Sequence, residues 1–344
     1  MTIPLTGSNT TTILDLKAHL HKVFSIKNLG QLHFFLCIEV CYINQGIVLS
    51  QRKFTKELLQ DCNLDLSKQA KTPLPPNFKL FTNVGDFYLD PLFYRCLVGK
   101  LNFLTNTRSN LSFAVQTLSQ FLQQPRVPHF QALHHVLRYV AGTIGQGILL
   151  YATDQLTLQG YSDSDWASCP NSRRSVTGYV MLLGNSPISW KSKKQGTVSK
   201  SSSEAEYRAM AAASSEITWL VRLLQELGVL NLKLVKLNCD DQVAIHIGKN
   251  PVFHERTKHI ELGCHFTRDK VLEGLIQLSF VPSTNQLDDI FTKSLCSPQH
   301  FDLCSKLGLI DTQSSSSLRG GIGDCPASSS AFSTTQQNSQ QLTA

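Results

Sequence analysis

Two short stretches that each end in an aspartate decide the fold of this chain. They read LQGYSD at Leu158–Asp163 and LVKLNCD at Leu234–Asp240. We interpret both as strands. If the two strands are neighbours in a sheet, both carboxylates project from one rim of it, and an acid on a helix crossing the sheet would complete a cluster of oxygen ligands. Glu206 is the candidate on that helix.

The segments around these strands predict a mixed sheet covered by helices, because three strands are followed by alternating helices and strands. This order is typical of an α/β fold. The strands are expected at 156–162, 178–183, 188–190, 234–239 and 275–281, and the helices at 203–227, 241–248, 258–272 and 286–295.

The first half of the chain has a different pattern. Helical spacing of apolar residues predicts one helix over 11–30 and another over 51–61. Between them, strands at 32–40 and 47–50 flank a short turn and form a β-hairpin. A proline-rich linker covers 72–91, and two helical segments follow within 94–140. We expect an α+β unit and then a small helical subdomain.

Composition narrows the class of protein. With 344 residues, 42% of them hydrophobic, the chain is long enough for two compact units. The ten scattered cysteines include no Cys-x-x-Cys pair, so reduced thiols are expected rather than a disulfide framework or a zinc ribbon.

No apolar run is long enough to span a bilayer, and no secretory signal is recognised. We expect a cytoplasmic or nuclear protein that is not secreted. The net charge of +7 would attract a polyanion, but an excess of this size is also common in proteins without such a partner, so it is weak evidence for one.

A cluster of acids predicts chemistry with divalent cations. Clustered carboxylates repel one another and are tolerated when a hard cation such as Mg²⁺ neutralises them. Two such ions about 4 Å apart would activate a water on one side of a phosphodiester and stabilise the leaving oxygen on the other. The alternative is that these acids are simply solvated. A calcium loop fits worse, because Asp163–Asp165 lacks the following Asp, Gly and distal Glu of an EF-hand.

Three longer strings carry a resemblance to a known family. They are GYSDSDWA at 160–167, RRSVTGY at 173–179 and SSSEAEYRA at 201–209. These strings resemble the ribonuclease H of copia-type retrotransposons, and the similarity continues through CDDQ at 239–242, RTKHIE at 256–261 and QLDDIFTK at 286–293. The resemblance covers nearly everything from residue 11 to about 311, and it implies a ribonuclease H-like mixed five-stranded sheet with flanking helices.

The resemblance also implies that four carboxylates bind two Mg²⁺ or Mn²⁺ ions, with no small-molecule cofactor. The four acids are Asp163, Glu206, Asp240 and Asp289. Each has a competitor within two residues, and these are Asp165, Glu204, Asp241 and Asp288. Spacing leaves the choice between Asp163 and Asp165 open, because alternate residues of a strand point to the same face. Asp288 stands where the family usually has alanine.

A histidine in such a site can relay protons or assist product release, and His259 is the candidate catalytic histidine. The combination of His254, His259 and Cys264 fits zinc less well, since a five-residue step does not keep ligands on one face of a helix.

Basic residues interleaved with Trp166 and Trp190 are candidates for contact with a nucleic-acid backbone. They are Arg173, Arg174, Lys191, Lys193, Lys194 and Lys200. A solvated hairpin face is the alternative interpretation. The partner that the resemblance implies is an RNA/DNA hybrid, recognised by groove shape and by 2′-hydroxyls rather than by base edges.

The first half resembles the end of a reverse-transcriptase palm with its primer-gripping hairpin, followed by a thumb and connection. Cys37 in that hairpin departs from the usual glycine, and the catalytic Tyr-Val-Asp-Asp turn of the family is not found, so we expect no polymerase activity. The expected domains are a truncated palm remnant over 1–92, a helical thumb and connection over 93–152, and a ribonuclease H domain over 153–311. Residues 312–344, rich in Ser and Gln, are expected to form a disordered tail.

The leading hypothesis is therefore a ribonuclease H that hydrolyses the RNA strand of RNA/DNA hybrids by two-metal catalysis. The alternative is a catalytically inactive remnant of a decayed element that still binds nucleic acid. The sequence does not determine an oligomeric state.

Overall fold

The computed structural model of the chain describes residues 4–5, 9–24, 26–230, 232, 234–249 and 261–311. The expected tail over 312–344 and the expected start of a helix at 258 lie outside these residues. Within them, no helix is long and apolar enough to cross a membrane.

The first helix and a three-stranded meander open the fold. Helix α1 (Thr10–Phe24) has no buried residue and ends earlier than predicted, where the chain turns back and His21 Nδ1 lies 2.7 Å from the Ile26 carbonyl oxygen. The predicted hairpin is present, but its first arm is divided into β1 (Phe34–Phe35) and β2 (Ile38–Ile43), which pairs with β3 (Gly46–Ser50). Helix α2 (Arg52–Asp61) follows as predicted.

A left-handed turn causes that division. Leu36 and Cys37 connect β1 to β2 with φ angles of 47° and 62°. Paired positive φ angles suit a two-residue hairpin turn, in which glycine is favoured because it carries no Cβ. Cys37 therefore holds a strained conformation at a position where the resemblance implies glycine.

A helical bundle fills the middle of the chain. Residues 72–90 form no helix or regular strand, in agreement with the predicted linker. Asp90 then begins α3 (Pro91–Leu104) by accepting a hydrogen bond from the Phe93 N–H at 2.9 Å, with proline in the first turn. Helices α4 (Ser112–Ser119) and α5 (Val127–Ala141) complete the bundle. Three helices thus form where two were predicted, and they share one apolar core.

Two strands that the sequence did not predict close the first sheet. Strand β4 (Gln146–Tyr151) pairs with β3, and its other edge pairs with β10 (Leu309–Asp311). The sheet order is β1-β2-β3-β4-β10, and every pairing is antiparallel. The beginning and the end of the described chain therefore share one sheet.

The predicted five-stranded mixed sheet is confirmed in the second half. Its strands are β5 (Leu158–Asp165), β6 (Val176–Leu183), β7 (Ser186–Lys194), β8 (Val235–Cys239) and β9 (Ile276–Phe280). They lie in the order β7-β6-β5-β8-β9, in which the first three are antiparallel and the pairs β5–β8 and β8–β9 are parallel. The chain thus combines helices with two sheets.

Helices cover both faces of this sheet. Helix α6 (Ser202–Glu226) packs with α7 (Gln242–Lys249) and α8 (Glu261–Leu272) on one face, where Tyr179 donates a hydrogen bond to Glu216. The neighbouring Gly178 points the other way, because successive residues of a strand alternate between faces. A Cβ at Gly178 would lie 2.6 Å from Thr292 Cγ2. Glycine is therefore required for the close approach of the helix on that face.

That helix is α9 (Asp289–Thr292), and it is much shorter than the predicted helix over 286–295. It ends because Lys293 adopts an extended conformation, with φ −142° and ψ 161°. Helix α10 (Ser297–Lys306), which was not predicted, begins directly after it with a proline in its first turn. Both helices contribute to an apolar cluster that also contains Ile148 and Leu309 of the first sheet, so the two sheets are packed into one body.

Candidate functional site

Two neighbouring parallel strands bring the first two predicted acids to one rim of the sheet. Strands β5 and β8 pair in parallel through Tyr161 and Asn238. Asp163 and Asp240 each lie two residues beyond this pair, and Asp163 is 4% exposed. Ser283 donates a hydrogen bond to Asp240 Oδ2 at 2.7 Å. The arrangement required for an acid cluster at the strand ends is therefore present.

Helix α6 places Glu206 against the same rim. Ser201 caps the helix by accepting a hydrogen bond from the Glu204 N–H at 3.1 Å. One turn inside the helix, Glu206 Oε1 accepts a hydrogen bond from the Ser164 N–H at 2.9 Å, which fixes the carboxylate beside β5. Asp163, Glu206 and Asp240 line one cavity of about 350 Å³, whose other lining residues are Ser202, Asp241, Gln242 and Val243.

The fourth predicted acid lies on the other side of Asp163. Asp289 is the first residue of α9, and its Oδ1 is 2.6 Å from Lys293 Nζ. The same ammonium is 3.8 Å from Asp163 Oδ2, which also accepts a hydrogen bond from the Thr292 hydroxyl. Gln299 Nε2 donates to Asp289 Oδ2 at 3.2 Å. A lysine thus lies between two of the four predicted acids, and Asp289 does not line the cavity.

Burial and mutual repulsion shift the titration of these acids. Burial raises the pKa of Glu206 well above its usual range, and the charges of Asp163 and Asp240 add to the rise. Burial also raises the pKa of Asp289 to about 6, although Lys293 acts in the opposite direction. Groups whose charges are disfavoured in this way gain from a cation that neutralises them.

The donor set fits divalent cations. Glu206, Cys239 and Asp240 each offer one ligand atom within 4.8 Å of the others, which defines a group of potential ligands in the described chain. Carboxylate oxygens dominate the wider cluster, as hard ions such as Mg²⁺ and Mn²⁺ require. Cys239 is fully buried, its Sγ lies 3.8 Å from Glu206 Oε2, and it does not line the cavity. We therefore regard the thiol as packing behind the acids.

Two of the competing acids have other partners in the structure. Glu204 forms an ion pair with Arg208 at 2.9 Å and accepts a hydrogen bond from the Lys200 N–H. Asp241 accepts from the Ala244 N–H at 2.8 Å, which caps α7, and from the Ser203 hydroxyl at 2.9 Å. Both arrangements are typical of acids that stabilise helix ends.

Asp165 remains close to the cluster. Its side chain is half-buried, and burial raises its pKa, with Lys293 lowering and Asp163 raising it further. The period of two in β5 places it on the same face as Asp163. Asp163 lines the cavity and Asp165 does not.

Asp288 is in the most unusual environment of the nearby acids. Its side chain is fully buried, and neither carboxylate oxygen has a hydrogen-bond partner. Burial raises its pKa well above the usual range, and the charges of Asp163 and Glu206 act in the same direction. A buried carboxyl without partners is costly, so this position favours a small apolar side chain such as the alanine that the resemblance implies.

The remaining predicted residues fall into two groups. His259 and His254 lie outside the described residues, and so does the side chain of Cys264. Among the predicted nucleic-acid contacts, Lys191, Lys193 and Lys194 lie on the edge strand β7. Arg173, Arg174 and Lys200 lie in loops near the ends of the strands. The structure therefore separates the predicted basic set into an edge-strand group and a loop group.

Lys293 and the Ser164 N–H are parts of the site that were not predicted from the sequence. The spacing of four residues between Asp289 and Lys293 was a usable signal, because acid and base at this spacing meet on a helix. The Ser164 contact had no signal, since it depends on where α6 crosses β5.

The chain is similar in sequence to a reverse transcriptase family model and to transposon polyproteins. A family model described as reverse transcriptase (RNA-dependent DNA polymerase) matches residues 2–76. The Retrovirus-related Pol polyprotein from transposon RE1 of Arabidopsis thaliana is 41% identical over 307 residues, which is 89% of this chain and 21% of the relative. The corresponding polyprotein from transposon TNT 1-94 of Nicotiana tabacum is 33% identical over 88% of this chain and 23% of the relative. The chain thus spans about a fifth of the length of these relatives.

A shorter relative is matched along most of its length. An uncharacterized mitochondrial protein of Arabidopsis thaliana is 42% identical over 218 residues, which cover 63% of this chain and 90% of that protein. Among solved structures, RNase H1 from Halobacterium salinarum is 17% identical, with a TM-score of 0.30 over 42% of this chain and 98% of that chain. A foamy viral protease-reverse transcriptase in complex with double-stranded DNA is 10% identical, with a TM-score of 0.43 over 80% of this chain and 44% of that chain.

Proposed function

Because this chain belongs to the family of copia-type retrotransposon Pol polyproteins, we propose that it carries a ribonuclease H that hydrolyses the RNA strand of RNA/DNA hybrids. The observation that carries the proposal is the cavity that Asp163, Glu206 and Asp240 line together at the rim of the mixed sheet. Bound Mg²⁺ or Mn²⁺ ions would lower the pKa of the attacking water and neutralise charge at the leaving oxygen.

Each acid has a distinct part in this proposal. Glu206 and Asp240 would hold one ion together with Asp163, whereas Asp163 and Asp289 would hold the second. Asp163 is common to both sets because it faces the cavity on one side and α9 on the other. The Ser164 N–H and the Ser283 hydroxyl orient Glu206 and Asp240, so these carboxylates are positioned before any ion binds.

Lys293 supplies the positive charge between Asp163 and Asp289 when no ion is bound there. Its side chain is 41% exposed, so it can move into solvent when a divalent ion takes its place. We propose that this exchange of cations accompanies loading of the second ion.

The test is a cleavage assay on short duplexes with one labelled strand. In Mg²⁺, the chain should cut the RNA strand of an RNA/DNA hybrid and leave the DNA strand and a DNA duplex intact, with 3′-hydroxyl and 5′-phosphate ends. Asp240→Asn should lower the rate more than ~100-fold, since it removes a direct ligand. Equal inactivity of the chain and this variant would contradict the proposal.

The second candidate function is nucleic-acid binding without cleavage. The buried and unpartnered carboxyl of Asp288 favours it, because accommodating an additional carboxyl beside Asp163 and Glu206 costs free energy in the folded cluster. Binding of a hybrid without Mg²⁺-dependent cleavage would support this function. The expected lack of polymerase activity stays a prediction, which primer extension on a template would test.

A further inference from the structure

Helix α6 exposes a row of large apolar side chains along its second half. Trp219, Leu223 and Leu227 follow one another at intervals of four residues, which places them on one face of the helix. They are 56%, 36% and 71% exposed. Leu230, which lies just beyond the end of the helix, is 72% exposed. We call these four residues the α6 stripe.

The α6 stripe is distinct from the face of the helix that packs on the mixed sheet. Ile217, Leu220, Val221 and Leu224 are buried and belong to the apolar core under the helix. The residues of the α6 stripe are the ones that this core leaves uncovered. Soluble monomers rarely expose a continuous row of large apolar side chains unless another surface covers it. The α6 stripe therefore has the character of an interface.

Two charged residues run along one flank of the α6 stripe. Arg222 precedes Leu223 by one residue and Glu226 precedes Leu227 by one residue, so both charges lie on the same flank. Both side chains are exposed, and neither forms an ion pair with a residue that the structure describes. The two charges are therefore available to a partner, in a fixed order along the helix.

A second copy of α6 matches this surface when it runs antiparallel to the first. A two-fold axis at Leu223 places this leucine against its counterpart and Trp219 against Leu227 of the second copy. The same axis brings equal flanks together, so Arg222 faces Glu226 of the second copy, and this pair occurs twice. In a parallel arrangement each charge would face its own like, which costs free energy. The apolar row and the charges are therefore self-complementary in the antiparallel order.

We propose that the chain forms a two-fold dimer through the α6 stripe of each copy, with the two helices antiparallel. Tryptophan and arginine are enriched among the residues that dominate the stability of interfaces, and this surface contains Trp219 and Arg222. A few side chains make a smaller surface than that of an obligate dimer, so the association is reversible.

The dimer leaves the acid cavity open. Glu206 precedes Leu223 by 17 residues of the same helix, which is about 25 Å along its axis. Self-association therefore neither covers the acids nor depends on the proposed nuclease activity, and it can be measured without a substrate.

Sedimentation velocity of the full chain, over a wide range of concentration, tests the apolar contacts. The parent should shift from monomer to dimer as its concentration rises. Trp219→Gln/Leu227→Gln should raise the Kd of the dimer more than ~10-fold, because both copies lose two apolar side chains. The matched control Leu89→Gln/Leu92→Gln removes two side chains that are 98% and 73% exposed outside α6, and it should leave the Kd unchanged. Circular dichroism establishes that each variant is folded.

A charge exchange tests the antiparallel order. Arg222→Glu and Glu226→Arg should each raise the Kd about tenfold, because two like-charge pairs replace two opposite-charge pairs. An equimolar mixture of these two variants should associate about as tightly as the parent, since the mixed dimer again contains two opposite-charge pairs.

Four outcomes would overturn the proposal. The parent could remain a monomer at every concentration, or the variants Trp219→Gln/Leu227→Gln could associate as tightly as the parent. An equal loss of association in the Leu89→Gln/Leu92→Gln control would show that the effect is not specific to α6. Dimers of the mixed charge variants that are no tighter than those of each variant alone would exclude the antiparallel arrangement.

Discussion

Asp288→Ala should stabilise the protein, although it replaces a charged residue beside the acid cluster. Asp288 is fully buried, and both of its carboxylate oxygens lack a hydrogen-bond partner. Burying a polar group without a partner costs about 1–3 kcal/mol, and alanine removes this cost. The free energy of unfolding at neutral pH should therefore rise by about 2 kcal/mol, which corresponds to a Tm about 3 °C higher for a chain of this length.

The gain in stability from Asp288→Ala should depend on pH. Burial raises the folded-state pKa of Asp288 well above the value of about 3.9 expected in the unfolded chain. A raised pKa means that the folded state binds a proton that the unfolded state has lost, so stability falls as pH increases through this window. The gain from Asp288→Ala should therefore be larger at pH 7.5 than at pH 4.5.

The assay is guanidinium denaturation with EDTA present, followed by tryptophan fluorescence at both pH values. Asp86→Ala, which removes an exposed carboxyl, is the matched control and should change stability by less than about 0.5 kcal/mol. A loss of stability in Asp288→Ala at both pH values would refute the reasoning, because it would mean that the carboxyl makes a stabilising contact.

Three further predictions concern the acid cluster and the hairpin. Lys293→Met should tighten Mn²⁺ binding about two- to fivefold in calorimetry, because a half-exposed ammonium that competes for Asp163 and Asp289 contributes up to about 1 kcal/mol. Mn²⁺ affinity should rise roughly fourfold between pH 5.5 and 7.5 from Asp289 alone, since its raised pKa of about 6 makes protons compete with the ion, and Glu206 should add to the rise. Cys37→Gly should stabilise the chain by about 1 kcal/mol in denaturation experiments, because it relieves a φ of 62°.

Each of these predictions has a control variant or an outcome that would contradict it. Lys306→Met removes an exposed lysine from a pair with Asp302 at the same spacing, and it should leave Mn²⁺ affinity unchanged. Weaker Mn²⁺ binding in Lys293→Met would show that the ammonium supports the site rather than competes for it. An affinity independent of pH would show that neither carboxyl is protonated at pH 5.5. Unchanged stability in Cys37→Gly would mean that the turn between β1 and β2 carries no strain.

The mixed sheet was predictable because the spacing of apolar residues changes clearly at the ends of its strands. The stretches before Asp163 and Asp240 each have the pattern of a strand. A helix lies between them in sequence, and a helical crossover is the usual connection between two parallel strands. The first sheet was harder to predict. Strand β10 has three residues, too few to show a period, and β4 pairs with segments about 100 and 160 residues away in sequence. Pairing over such distances leaves no local pattern.

The acids were predictable individually, but their environments were not. Glu206 and its neighbour Glu204 are both nearly buried, and only the structure separates the one beside Ser164 from the one paired with Arg208. The orphaned carboxyl of Asp288 depends on what packs around it. Asp288 directly precedes the short helix α9, whose bounds at Asp289 and Thr292 were not visible in the sequence.

The most direct test of the nuclease proposal compares two adjacent acids in one assay. Both Asp240 and Asp241 line the cavity, but the two carboxylate oxygens of Asp241 accept hydrogen bonds from the Ala244 N–H, which caps α7, and from the Ser203 hydroxyl. With a labelled RNA/DNA hybrid and Mg²⁺, Asp240→Asn should lower the cleavage rate more than ~100-fold. Asp241→Asn should lower it less than ~10-fold, because asparagine still caps a helix. Equal rates for the two variants would contradict the assignment of Asp240 to the metal site.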